Sequence, residues 1–310
     1  MAIPSSSLSR VPAASPRRFW SRWYSGVLLA LAIAYGVAYA MHWDDRAVLL
    51  VQEALQSKDE RNASVWLPDY KVAIDAKVLP GMADDEASDL TYNPVTRTLF
   101  AVMGKNPFLV ELSLKGDVLR KIPMEGWSNP EGLTVLGNGL VAITDERQQL
   151  LSIIKVDADT TRLRLVDAVK YDLGHTEKKN KGFEGVIWDA KRQQLLLGQE
   201  RPAAMFSWKS DGSALLAGEK QRLEQYDLDV RNLSALSVDP RTGHVLVLSA
   251  DSHLLLELDE QGRQVSFMSL LGGVNGLKDT IPRAEGVAID EQGTVYMVSE
   301  PNLFYSFSNK

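Results

Sequence analysis

Two patterns of hydrophobic residues divide this chain. From Trp23 to Met41, 19 consecutive residues carry no charge, and at about 1.5 Å per helical residue they span roughly 28 Å, enough to cross a bilayer once. From about residue 66 onward, short runs of alternating apolar and polar residues are separated by turns rich in Gly, Asn, Asp and Pro, as in β-strands. The pattern predicts one membrane helix followed by an all-β domain.

One short phrase recurs five times in the β domain, each time where a strand begins. It places a small or acidic residue ahead of alternating apolar residues, with steps of 43, 53, 50 and 51 positions between its central residues, which are Ser88, Glu131, Glu184, Ser234 and Glu285. Repeats of this length with several short strands are typical of four-stranded propeller blades. We expect five blades, at about residues 86–126, 129–179, 182–229, 232–278 and 283–307.

The fifth repeat ends after three strands, which leaves its blade one strand short. Residues 68–79 form one additional alternating strand ahead of the first repeat. Pairing this strand with the last blade would close the ring and remove an exposed sheet edge. The sequence therefore predicts a five-bladed β-propeller over residues 66–310, closed by its N-terminal strand and preceded by one transmembrane helix.

The charges around the apolar stretch predict its orientation in a membrane. Residues 1–22 contain no acidic residue and four arginines, Arg10, Arg17, Arg18 and Arg22. Because arginine-rich flanks stay in the cytoplasm, we expect residues 1–22 to be a cytoplasmic basic tail and residues 23–43 a signal-anchor helix in the inner membrane. The propeller would then lie in the periplasm. Ala38-Tyr39-Ala40 also matches a cleavage motif, so a signal peptide removed after Ala40 is the alternative.

Residues 44–65 are expected to form a juxtamembrane linker that contains a short helix. Helical spacing places five apolar residues on one face, namely Ala47, Val48, Val51, Ala54 and Leu55. We interpret this helix as a spacer between the membrane and the propeller.

Charge and cysteine content narrow the classes of function. The net charge is −6 and there is no cysteine. Because the four N-terminal arginines contribute +4, the remainder carries −10, which argues against nucleic acid as a partner. Without cysteine, a thiolate metal site and a cysteine nucleophile are excluded.

The propeller geometry predicts an acidic cluster at one end of the central channel. The first strand of each blade lines the channel, so three glutamates, here called the inner glutamates, should converge: Glu131, Glu184 and Glu285. The second strand runs back antiparallel and ends at the same rim. Its last residues include three more acids, the outer glutamates, which are Glu146, Glu200 and Glu300; Lys105 and Asp251 hold the equivalent places in the other two blades.

Carboxylates that lie within a few ångströms of one another repel each other unless they bind protons or a cation. Oxygen ligands without cysteine or converging histidine favour Ca²⁺ over Mg²⁺ and argue against zinc and copper. We therefore expect the six glutamates to form a calcium site. The alternative is that each glutamate only begins a strand and accepts hydrogen bonds from nearby backbone amides.

Other polar residues near the rim suggest no further chemistry. Arg147 and Arg201 follow two of the outer glutamates and should pair with them, although binding of an anionic ligand is an alternative. The histidines are scattered, with no arrangement that indicates a catalytic triad; they are His42, His175, His244 and His253.

Three phrases in order, GFEG at 182–185, AEGVA at 284–288 and VSEPN at 298–302, resemble the SdiA-regulated (YjiK-like) family. The resemblance covers about residues 66–310. It implies a membrane-anchored five-bladed propeller, distantly related to NHL-repeat propellers, with a calcium site and no established activity. The Glu-Gly phrase is also similar to that of calcium-dependent lactonase and gluconolactonase propellers. Those have six blades, and this chain lacks their asparagine on the other inner strands.

Two functions follow from these expectations. The first is a calcium-binding propeller that faces the periplasm and binds an unknown protein or small-molecule ligand at its rim. The second is a calcium-dependent hydrolase of lactones or phosphoesters, with Asp145 or Glu146 as the base. The absence of an acid–base partner near the glutamates favours a binding module over an enzyme. A scaffold without any ion is a third possibility.

Overall fold

The computed structural model describes residues 17–40, 43–174, 182–212, 215–226, 228 and 230–309. It contains two compact units, Met1–Ala47 and Val48–Lys310. The helices and 3₁₀ turns are α1 (Arg17–Ala40), α2 (Trp43–Leu55), α3 (Lys58–Asn62), η1 (Leu67–Asp69) and η2 (Leu165–Asp167). Trp23–Ala40 of α1 is long and apolar enough to cross a membrane and is not buried in the protein. These properties fit a membrane anchor and a signal sequence equally.

The strands of the described residues form five sheets, one for each predicted blade. Blade one contains β2 (Ala87–Asn93), β3 (Thr98–Met103), β4 (Phe108–Leu112) and β5 (Val118–Glu125). Blade two contains β6 (Pro130–Gly137), β7 (Leu140–Asp145), β8 (Leu150–Lys155) and, outermost, β10 (Val169–Asp172). Between β8 and β10, the two-residue strand β9 (Leu163–Arg164) pairs in parallel with β5. The segment 129–179, which was predicted to form blade two, thus also adds a short strand to blade one.

The remaining blades have four strands each. Blade three contains β11 (Phe183–Asp189), β12 (Gln194–Gln199), β13 (Ala204–Lys209) and β14 (Gln221–Arg222). Blade four contains β15 (Ala235–Val238), β16 (Val245–Ser249), β17 (Leu254–Leu258) and β18 (Gln264–Ser269). Blade five contains β19 (Ala284–Ile289), β20 (Val295–Ser299), β21 (Leu303–Asn309) and, from the other end of the domain, β1 (Tyr70–Val78).

The N-terminal strand closes the ring as predicted. β1 pairs antiparallel with β21, with Tyr70 opposite Asn309 and Val78 opposite Leu303. The buried Tyr70 hydroxyl also donates to the Gly293 carbonyl at 2.7 Å. The five innermost strands, β2, β6, β11, β15 and β19, contact one another in a closed cycle around the channel. The five-bladed propeller is therefore confirmed, and its core consists of apolar side chains packed between neighbouring blades.

A β-bulge marks the recurrent phrase in four of the five blades. The pairing between first and second strand skips one residue at each of these positions, which are Ser88, Glu131, Glu184 and Glu285. A bulge leaves its extra residue outside the ladder and redirects its side chain. In these four blades the repeat found in the sequence thus marks a β-bulge, which turns one side chain out of the regular pleat.

The glycine after each inner glutamate allows the inner strands to approach one another closely. A Cβ on Gly286 would lie 2.6 Å from the Leu90 nitrogen and 2.7 Å from the Asp89 carbonyl carbon, both in the backbone of the next blade. A Cβ on Gly132 would overlap the Glu184 carbonyl oxygen of blade three in the same way. A larger residue would therefore push neighbouring blades apart.

The linker after the membrane segment is attached to blade four rather than acting only as a spacer. Leu49 of α2 is buried in the cluster formed by blades three and four. The Glu53 carboxylate accepts a hydrogen bond from the Phe267 N–H of β18 at 2.7 Å. Further along, the Val65 and Trp66 N–H groups donate to the buried Glu257 carboxylate at 2.7 and 3.0 Å. These contacts fix the linker along the outer edge of blade four.

The close approach at Gly286 gives the first prediction. Gly286→Ala should lower the free energy of unfolding by about 2–3 kcal/mol, because the new methyl group meets backbone that cannot rotate away. Gly36→Ala is the control, since a Cβ there has nothing within 4 Å. Denaturant unfolding of the detergent-solubilised chain measures both. Equal stability of the two variants would contradict the packing described here.

Candidate functional site

The three inner glutamates come from three blades and lie within electrostatic reach of one another. Each occupies the bulge of its blade, and each is half-buried. The negative charges of Glu200, Glu285 and Glu131, in this order of size, raise the pKa of Glu184. The structure therefore places the three predicted residues close enough to interact electrostatically.

Burial is the main cause of the altered acidity of these groups. The pKa of Glu131 is raised from 4.5 to about 8, chiefly by burial; the charges of Glu146 and Glu285 contribute to this increase, and the neighbouring Ser88 hydroxyl and Asn129 oppose it. Burial also raises the pKa of Glu285, to about 7, although Ser234 and Arg283 oppose the increase. The pKa of Glu184 is raised well above its ordinary value, again chiefly by burial. Near pH 7 Glu131 thus favours its protonated form, and Glu285 is divided between its two forms.

The inner glutamates differ in their hydrogen-bond partners. The Asn129 side-chain amide donates to Glu131 Oε1 at 2.5 Å and to Glu146 Oε2 at 3.1 Å. Arg283 lies 3.3 Å from Glu285 Oε1. Glu184 receives no hydrogen bond from the described part of the chain. Glu184 is therefore the inner glutamate with the least compensation for burial.

Basic residues pair with two of the outer glutamates. Arg201 is 2.8 Å from Glu200 and also pairs with Asp251, and Arg283 is 2.9 Å from Glu300. Glu146 instead accepts from the Gly182 N–H at 3.3 Å. The predicted ion pair of Arg201 is confirmed.

The other predicted ion pair does not form. Arg147 is exposed, and no ion pair joins it to Glu146 within the described ranges. In the remaining blade, Lys105 pairs with Glu86 at 3.1 Å. The channel mouth therefore keeps more acidic than basic groups.

The donor chemistry suits a hard cation, but the side chains are not preassembled around one. Among the described residues, no three Asp, Glu or His side chains stand close enough together to hold a metal ion. The hydrogen bonds of Glu131 to Asn129 and the ion pairs of Arg283 hold the carboxylates in separate places. Binding of an ion would require the inner glutamates to leave these partners.

Asp89 is an important buried acid that the sequence reasoning missed. Its side chain has no exposure and accepts from the Leu90 and Leu133 N–H groups, both at 2.7 Å, so it joins blade one to blade two. Burial raises its pKa well above the ordinary value. Asp89 stands directly after Ser88, where three other repeats have glycine. This departure from the repeat was the feature of the sequence that could have identified Asp89.

Asp145 has a structural role instead of the catalytic one proposed from sequence. It is fully buried and accepts from the backbone N–H groups of Ser128 and Gln148 at 2.6 and 2.9 Å, and from the Gln148 side chain at 3.0 Å. These donors occupy both carboxylate oxygens of Asp145 in the interior of the protein. Asp145 stabilises the turn ahead of β6.

Two asparagines at the rim were also missed, because they precede the inner strands instead of lying on them. Asn129 bonds two glutamates as described above. Asn232 accepts from the Ser249 hydroxyl and the Asp251 N–H, both at 2.9 Å, and donates to Ser234 at 3.0 Å. Each stands two residues before the central residue of its repeat. They organise the rim by hydrogen bonding.

The histidines lie away from this cluster or outside the description. His244 Nδ1 is 2.6 Å from Glu257 Oε1, on the part of blade four that holds the linker. His253 follows β16 in a turn and is partly buried. His42 and His175 lie outside the described residues.

Comparisons with known proteins identify a family and show two solved structures to which the chain is similar. A family model described as SdiA-regulated matches residues 62–308. The chain is similar to a chain of the nidogen/laminin complex, with 15% identity, a TM-score of 0.47 and coverage of 69% of this chain and 72% of that chain. It is similar to a streptogramin B lyase, with 10% identity, a TM-score of 0.47 and coverage of 78% and 98%. At these TM-scores the structural similarities carry no inference about what the chain binds or does.

The acidity of the inner glutamates predicts how stability depends on pH. Folded Glu131 holds its proton up to about pH 8, whereas the unfolded chain loses it near pH 4.5. Between these values the folded state binds more protons than the unfolded state, so the free energy of unfolding should fall as pH rises. In metal-free buffer we expect the Tm to drop by several degrees between pH 5 and pH 8, measured by thermal unfolding.

A matched pair of variants tests the cause of this pH dependence. Glu131→Gln cannot ionise and should flatten the decrease, whereas Glu125→Gln, whose side chain is 53% exposed, should leave it unchanged. A Tm that rises over the same pH range, or identical profiles for the two variants, would contradict the assignment.

Proposed function

The chain belongs to the SdiA-regulated family, and from this premise we propose that it is a membrane-anchored propeller that binds Ca²⁺ at its channel mouth. The propeller faces the periplasm and acts as a binding module for a protein or small-molecule ligand. One observation carries the proposal, which is that Glu131, Glu184 and Glu285 come from three blades, are half-buried and interact electrostatically.

A divalent cation would offset the cost of burying these carboxyl groups close to one another. Burial and mutual repulsion disfavour their ionised forms, and a bound cation makes ionisation favourable. The donors are all oxygens and the chain has no cysteine, a set that suits Ca²⁺. The ion would supply positive charge that holds several blades together. Its ligands would be the inner glutamates, with the outer glutamates Glu146, Glu200 and Glu300 around them.

The residues around the cluster have separate tasks in this proposal. Arg201 and Arg283 neutralise the outer acids Glu200 and Glu300, and Arg283 also lies beside Glu285. Among the described residues, Glu131 and Glu184 are the inner glutamates without a basic partner. Asn129 orients Glu131 while no ion is bound. Glu184, which has no hydrogen bond from the described residues, is the ligand that can turn toward an ion at least cost. Calcium in this role is structural.

The anchor and the orientation rest on the N-terminal segment. The apolar stretch Trp23–Ala40 is long enough to cross a bilayer, and the four arginines before it favour a cytoplasmic N-terminus. An uncleaved helix would hold the propeller at the outer face of the inner membrane. Cleavage after Ala40 would release it, and the intact mass of the membrane-extracted protein distinguishes the two.

Calcium should stabilise the folded chain measurably. At a concentration of one hundred times its Kd, a ligand specific for the folded state stabilises it by about 2.7 kcal/mol, which raises the Tm of a domain of this size by roughly 5–10 °C. Removal of calcium with EGTA should reverse the rise, as followed by thermal unfolding. Glu184→Gln should abolish the calcium response, and Glu125→Gln should retain it. No response in the unsubstituted chain would refute the calcium site.

The hydrolase alternative has one remaining candidate base. Asp145 is fully engaged with backbone donors, which leaves Glu146, held by Asn129 and the Gly182 N–H. With calcium present, we expect no turnover of a panel of lactones and phosphoesters, measured against the uncatalysed rates. Turnover that Glu146→Gln eliminates without changing the Tm would replace the binding module with a hydrolase.

A further inference from the structure

Helix α2 has two faces with opposite environments. One face, with Leu49 and Glu53, is attached to blade four as described above. The other face is apolar and uncovered, and four of its large side chains are 53%, 57%, 60% and 79% exposed, namely Val48, Leu50, Val51 and Leu55. These are mostly the residues whose spacing predicted an apolar helix face. The structure thus leaves the predicted hydrophobic face without a partner.

The exposed apolar residues of α2 form a continuous face, and no polar residue lies among them on that face. At about 100° per residue, Leu50, Ala54, Val51, Leu55 and Val48 fall in this order within an arc of roughly 160°. Gln52 and Glu53 fall outside the arc. A helix with one polar, attached face and one broad apolar face has the character of an interfacial helix.

A groove lies between this helix face and the propeller, and its lining is partly apolar and partly polar, the latter including Gln56 and Arg263. Val48 and Leu55 line it from the helix, and Leu228, Leu256 and Leu258 line it from the blade side. Its volume is about 560 Å³. The surface offered by α2 and this groove is therefore larger than the helix face alone.

The position of α2 in the chain indicates what covers this surface. The helix begins at Trp43, three residues after the candidate membrane span ends at Ala40, and three residues reach at most about 11 Å. Trp43 itself is a residue type enriched at the membrane–water interface. The start of α2 therefore lies at the bilayer surface if the span is inserted.

We propose that α2 lies in the membrane interface, with its apolar face of Val48, Leu50, Val51 and Leu55 inserted among the lipids. The inference rests on the proposed membrane anchor. Because Leu49 and Glu53 attach the same helix to blade four, blade four is held next to the bilayer. The other blades then remain open to partners.

The charge of the chain indicates which force holds the helix there. The chain after the anchor carries −10, so its charges repel an anionic lipid surface. Contact between the apolar face and the lipids must supply the attraction, and such contact depends little on salt. Salt dependence therefore separates this mode from electrostatic attachment.

Fluorescence quenching by lipids tests the proposal on the full chain. The protein has no cysteine, so single cysteines at Val51 or Leu55 can carry a small fluorophore in liposomes that contain brominated lipids. Leu55→Cys should lose most of its fluorescence, at low and at high salt. Val95→Cys, on a turn of blade one and 79% exposed like Leu55, should lose none.

Two other outcomes would overturn the proposal. If Leu55→Cys is quenched no more than Val95→Cys, α2 lies in water. If its emission shifts to the blue without quenching by lipid, α2 is covered by protein, such as a second copy of the chain. Carbonate extraction checks the anchor separately, because a chain that stays in the membrane with an unquenched Leu55 label rejects the interfacial helix alone.

Discussion

The close packing of five inner strands around one narrow channel is the constraint on which the rest of this molecule depends. The ring closes only where backbones nearly touch, as at Gly286 against Leu90. In blades two, three and five a glutamate occupies the β-bulge, where it lies outside the regular ladder and is half-buried. The same geometry that completes the propeller thus concentrates acid in a half-buried place.

Burying several carboxyl groups together is unfavourable, and the fold offsets the cost in different ways around the ring. Asp89 replaces a glycine and bonds two backbone amides across a blade junction. Asn129 and Arg283 each serve an inner and an outer glutamate. Glu184 has no such partner among the described residues, so it depends most on a proton or a cation. Because Glu184 lacks a partner, this site is suited to exchange a bound proton for a cation.

The repeat in the sequence predicted the blades, the closing strand and the inner glutamates, because spacing and alternation directly reflect the backbone ladder. It could not predict the role of Asp145, since a carboxylate at a strand end looks the same whether it bonds amides or substrate. It also missed Asn129 and Asn232, which act through side-chain hydrogen bonds ahead of the strands. The apolar periodicity of α2 was visible, but periodicity does not show what covers a face, and the structure buries Leu49 instead.

Crystallography of the protein with and without calcium would show whether the inner glutamates bind the ion. With calcium present, we expect an anomalous scattering peak between Glu131, Glu184 and Glu285, at oxygen distances of about 2.3–2.6 Å. We also expect Glu131 then to leave Asn129. Only water between these side chains at saturating calcium, with the Glu131–Asn129 hydrogen bond intact, would contradict the proposed calcium site.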